Sequence, residues 1–199
     1  MKREYSINEN EWKLIFHAPL TTDTTDIVNG YIGTPNPYIT SRIDSEKGFF
    51  GQGSTNSQAV SFGKNLTWAL PSSFMSELLT YTELITCCTI NYSYVNSHLN
   101  QFNLNKGWCL GWLRNYGGRT IYAIPANTTA TVFAHVDLTK GTNTYMPTTV
   151  YNDYNDNVYT FNADNAGGDA KFNWGVNYSN GQYYTGYFKD IKILGKKSV

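Results

Sequence analysis

The chain has 199 residues, enough for one sizeable core, and is 41% hydrophobic, 16% aromatic and only 15% charged. With zero formal net charge and no basic cluster beyond Lys196 and Lys197, it lacks the phosphate-neutralising surface that nucleic-acid binding needs. No apolar run approaches a membrane span, so neither nucleic acid nor membrane insertion is expected.

Residues 1–11 read as a polar N-terminal arm without the apolar segment of a secretory signal. Residues 12–195 read as a single β-domain and 196–199 as a short basic tail. Sixteen Tyr with many Thr and Val suit pleated strands, while seventeen Gly with many Asn suit the turns. Residues 12–20 (WKLIFHAPL) alternate, placing Leu14, Phe16 and Ala18 on one face and Lys13, Ile15 and His17 on the other. Pro19 ends that strand or confines it to an edge. Residues 21–38 form a turn-rich connection with a tight-turn signal at Asn29-Gly30. A glycine-rich turn from residue 48 leads to a short strand at 59–62. The only helical turn falls within 71–84, with Ser73 as its cap before Glu77.

Residues 84–95 (LITCCTINYSYV) are the most strand-like central run. Residues 108–113 and 119–124 read as a hairpin joined by Arg114-Asn-Tyr-Gly-Gly118, and 129–136 as another strand. Segments 158–161 and 172–176 bracket a loop at 162–171 rich in Asn, Asp and Gly. The stretch 181–194 (GQYYTGYFKDIKIL) reads as the closing strand, its partner the opening strand near Trp12. Phe188, Ile191 and Ile193 share a face only if a bulge absorbs one residue between Phe188 and Ile191. Strand signals every eight to twelve residues predict a sandwich or barrel of about ten to thirteen strands.

These signals resemble a known family. LIFHAPL is followed by DTTDIVNG, then by a glycine turn before a short strand (GQGSTNSQAVSF), and the chain ends in GYFKDIKIL. The order is similar to the laminin-G-like, concanavalin A-like jelly roll, although Lys189 stands where that ending usually has an acidic residue. The resemblance covers about residues 12–194 and implies an all-β sandwich of two antiparallel sheets. It spans lectins, receptor-binding modules, appendages of glycan hydrolases and virion proteins, so it leaves function open.

Chemistry is sparse. The chain has six glutamates, and none has the acidic partner on a strand that a sandwich-type glucanase needs; Glu83 is the one candidate for facing a groove, and it reads first as a solvated boundary carboxylate. His17, His98 and His135 stand beside no nucleophile motif. Cys87, Cys88 and Cys109 lack metal spacing and read as buried free thiols in a chain that folds in a reducing cytosol. An enzyme is therefore not expected. Loop binding remains: Tyr151, Asp153, Tyr154 and Asp156, with Trp174 and Tyr178, combine flat rings and hydroxyl-bonding groups suited to a glycan. The same strings also suit a polar loop of a Tyr- and Asn-rich sandwich. Asp23, Asp26, Asp164 and Asp169 are candidate Ca²⁺ ligands.

Without an export signal, the leading expectation is a non-catalytic virion component, a phage capsid decoration, head fibre or tail piece. It would assemble in a host cytoplasm, pair with other virion proteins or itself, and sit on the virion surface, where it meets cell-surface glycans. The alternative is an extracellular carbohydrate-binding module of a secreted enzyme or adhesin, and a weaker one a glycoside hydrolase.

Overall fold

The computed structural model describes residues 10–52, 65–95, 99–104, 108–113, 115–116, 120–121, 126–139, 142–147, 158–160, 170–176 and 184–198. Two antiparallel sheets face each other, as the alternation of apolar residues requires. The larger is built on β15 (Tyr184–Lys196), which lies beside β6 (Glu83–Val95) along its whole length. On its other edge, β15 pairs first with β4 (Gly48–Gln52) and then with β1 (Lys13–Ala18). Beyond β4 lies β3 (Thr40–Asp44). Beyond β6 lie β11 (Ala130–Asp137), β12 (Thr142–Pro147) and β13 (Val158–Thr160). The second sheet runs β2 (Gly33–Pro35), β5 (Leu66–Leu70), β14 (Ala170–Val176), β7 (Leu99–Leu104) and β8 (Trp108–Leu113). A two-stranded ribbon joins β9 (Asn115–Tyr116) and β10 (Thr120–Ile121).

The expected bulge in the last strand is present. Lys189 pairs with Thr89 and Lys192 with Cys87, so Asp190 and Ile191 together oppose one residue. Asp190 takes the left-handed conformation (φ 52°), and its N–H donates to the carbonyl of Pro19 at 3.2 Å. Phe188, Ile191 and Ile193 all end up fully buried. Gly186 fits because β6 passes close by: a Cβ there would lie 2.5 Å from the Asn91 carbonyl oxygen.

A second bulge corrects the expected faces of the first strand. The β1–β15 register shifts between Leu14 and Phe16, so Ile15 turns inward beside Phe16 while Leu14 faces solvent. Other boundaries shift as well. Residues 48–52 form a strand where only a turn was expected, and the strand expected at 59–62 lies outside the described residues. The helix α1 (Ser72–Leu78) has Pro71, not Ser73, at its N-cap; the Pro71 carbonyl accepts from Phe74 and Met75, and no side-chain cap bond forms. Trp108–Leu113 pairs with Leu99–Leu104, leaving the expected hairpin as the short β9–β10 ribbon.

Aromatic rings join the two layers. Phe16 meets Trp68 and Phe172 edge-on, with centroids 5.4 and 5.1 Å away. Trp174 stacks on Phe188 at 3.5 Å and 14°, and α1 adds Phe74, Met75 and Leu78 at one end.

Cys87 and Cys88 are buried thiols joined in no disulfide; the Cys109 side chain lies outside what is described. Burial pushes the Cys87 thiol up to about 11. At pH 8 only about one molecule in a thousand would carry its thiolate. Native protein should therefore resist iodoacetamide at Cys87 for hours and react within minutes in urea, as read by peptide mass mapping. Fast native labelling there would contradict the buried placement.

Candidate functional site

The site lies where β1, β15, β6 and β11 run side by side. In register, Glu83 opposes Lys196 on one side and Asp137 on the other, while His135 opposes Ile85. The pleat sends Glu83, His135 and Lys196 out of the same face, away from the core. His135 Nε2 and Glu83 Oε2 then lie 2.7 Å apart across neighbouring strands, both partly exposed. Trp12, just before β1, meets the His135 ring edge-on at 6.4 Å. The Lys196 ammonium sits 5.9 Å from the Trp12 ring centre and 2.9 Å from a carboxylate oxygen of Glu11.

Around the end of β15, the half-buried Trp12 and the buried Tyr81 line a cavity of about 580 Å³. Gly195 makes room for Tyr81: a Cβ at that position would stand 2.5 Å from the Tyr81 ring. The Tyr81 hydroxyl donates to Glu77 Oε1 at 3.1 Å, and the Lys13 ammonium donates to the same oxygen at 2.7 Å. That bond from Lys13 holds the Glu77 carboxyl below the usual range, and the same bond raises the Lys13 ammonium. The cavity thus presents ring surface for apolar C–H groups and several charged donors and acceptors for hydroxyls. No helix among the described residues is long and apolar enough to cross a membrane.

Of the residues expected to bind glycan, Trp174 is placed elsewhere. It is fully buried between the sheets, with its ring against Phe188 and Tyr184, and offers no face to a sugar. The alternation of Phe172 and Trp174 along β14 points both inward. Tyr151, Asp153, Tyr154, Asp156 and Tyr178 lie outside the described residues, as do Asp164 and Asp169. Asp26 is buried, and its four acceptor positions are occupied by the N–H groups of His17, Val28 and Asn29 and by the Asn29 side-chain amide, at 2.7–3.1 Å. It is a turn-fixing carboxylate, with no lone pair left for a cation. Asp23 accepts from the Thr25 N–H at 2.7 Å in its own turn. Among the described residues, no group of three or more His, Cys, Asp or Glu is placed to hold a metal.

Sequence reasoning names Glu83 only as a groove candidate, preferring a solvated boundary carboxylate, and misses its partner His135 and the ring of Trp12. The pair is 52 residues apart in the chain, so only strand register brings it together.

No family model matches the chain, and no curated protein sequence does. Solved structures do. Domain 4 of AbnA, an extracellular arabinanase of Geobacillus stearothermophilus solved with arabinotriose, matches with TM-score 0.53 and 17% identity, covering 95% of both chains. The fold is a concanavalin A-like β-sandwich. A botulinum neurotoxin DC binding domain, solved with rat synaptotagmin II, superposes on this sandwich with TM-score 0.57 and 11% identity over 94% of the chain. Trypanosoma rangeli sialidase, in complex with 2,3-difluorosialic acid, does so with 0.51 and 9%, also over 94%. The chain spans 49% of the neurotoxin domain and 31% of the sialidase. At these identities the concanavalin A-like likeness is one of fold.

Proposed function

We propose that the chain is a carbohydrate-binding module that holds a saccharide over Trp12 without cleaving it. The observation that carries this reading is the half-buried Trp12 ring at a cavity of about 580 Å³ lined also by Glu11, Lys13 and Lys196, with His135 of the Glu83–His135 pair 6.4 Å from the ring. Rings of this kind stack on pyranose or furanose C–H faces, while the charged groups bond the hydroxyls. Support comes from the arabinanase domain, which matches end to end and was solved with a trisaccharide. Like that enzyme, the protein would act outside the cell. A virion attachment role stays second, because the similar structures that support the sandwich belong to secreted enzymes and toxins.

We read the site as non-cleaving, with Glu83 held by the His135 imidazole at 2.7 Å as a hydroxyl-bonding group. Among the described residues, Asp137, opposite Glu83 in register, is the one neighbouring strand carboxyl that a hydrolytic pair would have to use. The test is a glycan array followed by titration calorimetry with the best ligand, using arabinotriose as the first probe. Trp12→Ala should weaken binding about tenfold or more while leaving the melting temperature nearly unchanged. Unaltered affinity in Trp12→Ala would remove the site from this face. Sugar turnover abolished by Glu83→Gln would overturn the non-enzymatic reading.

A further inference from the structure

The walls of the Trp12 cavity carry three lysines, Lys13, Lys196 and Lys197, against one glutamate, Glu11. Two of these cations already have anionic partners. Lys13 pairs with Glu77 at 2.7 Å, and Lys196 pairs with Glu11 at 2.9 Å. Lys197 differs. Its ammonium lies 5.3 Å from the centre of the Tyr81 ring, which orients the charge without neutralising it. Among the described residues, no carboxylate forms a direct ion pair with it, and Glu77, already bonded to Lys13, feels its charge only at longer range.

We infer that this cavity selects saccharides bearing a carboxylate, with Lys197 pairing the acid group while Trp12 holds the sugar ring. The inference rests on the saccharide reading above and names the ligand class within it. A neutral sugar would gain ring stacking and hydroxyl bonds but form no ion pair with Lys197. A uronate or sialate adds a charge-assisted hydrogen bond at that point. An ammonium group suits this role, because a flexible point charge reaches a carboxylate without the fixed approach a guanidinium demands.

Titration calorimetry at low salt separates the outcomes, with trigalacturonate and sialyllactose as carboxylated probes against arabinotriose and lactose as neutral ones. At least one carboxylated probe should bind more tightly than the neutral pair. Lys197→Gln should weaken that probe about three- to tenfold and leave the neutral sugars unchanged. Added salt should narrow the difference between probes in the wild type. Lys47→Gln, beside β4 at the opposite end of β15, controls for a general change of charge and should have no effect. If neutral and carboxylated sugars bind equally and Lys197→Gln changes neither, the inference fails while the saccharide reading stands. If no sugar of either kind binds the wild type, both fail.

Discussion

Trp174→Ala is expected to lower the unfolding free energy by about 3–5 kcal/mol, the range for removing a fully enclosed indole. The ring is closed off from solvent, stacks on Phe188 at 3.5 Å and meets Tyr184 edge-on at 4.7 Å. Phe188 comes from β15 and Trp174 from β14, so this contact joins the centres of the two sheets. Truncation would leave a cavity that β-sheets on both sides cannot collapse to fill. Trp174→Phe separates packing from polarity. The indole Nε1 is buried and, among the described residues, has no hydrogen-bond partner, so replacing it by a ring without an N–H should cost far less than the alanine change. Urea unfolding monitored by circular dichroism measures both variants. Binding per folded molecule should stay at the wild-type value, because Trp174 lies inside the sandwich and Trp12 outside it. A loss of sugar affinity in folded Trp174→Phe, with stability intact, would return Trp174 to the ligand.

The contrast between these two tryptophans shows what the sequence makes legible. Strands β6, β11 and β15 are readable because apolar and β-branched residues dominate them, and the bulge in β15 because its apolar spacing breaks from two to three. Local pattern carries that much. It does not carry pairing. The Asn and Gly flanking Trp174 make it look like a loop residue, yet Phe172 and Trp174 two apart are the signature of an inward strand face. Strand β12 (TNTYMP) and strand β7 (LNQFNL) escape a sequence reading, since their polar residues give little alternation, although each pairs with a chain neighbour, β12 with β11 and β7 with β8. The Trp12, His135 and Glu83 cluster has no short-range signal. Its members lie on three segments that are distant in sequence and meet through register alone.

The second large effect concerns Asp26, a candidate calcium ligand in the sequence that the structure shows holding a turn. Asp26→Ala should destabilise the fold by about 3 kcal/mol, because three backbone N–H groups, of His17, Val28 and Asn29, lose their acceptor in a buried setting. The turn also docks on the first strand. Ile27 N–H donates to the His17 carbonyl at 2.8 Å, and the Asn29 amide donates to the Ile15 carbonyl at 2.8 Å. Loosening it would therefore free the β1 edge of the large sheet and, with it, the Trp12 that precedes that strand. Asp26→Asn keeps the size but turns one acceptor into a donor facing donors, so it should recover only part of the loss. Millimolar Ca²⁺ should not move the melting temperature through this residue, since a cation could bind only by displacing the N–H groups that hold the turn. A calcium-dependent rise in melting temperature that disappears in Asp26→Asn would show that the carboxylate exchanges those hydrogen bonds for a metal. A near-neutral Asp26→Ala would show that water reaches the three amides as readily as the carboxylate does.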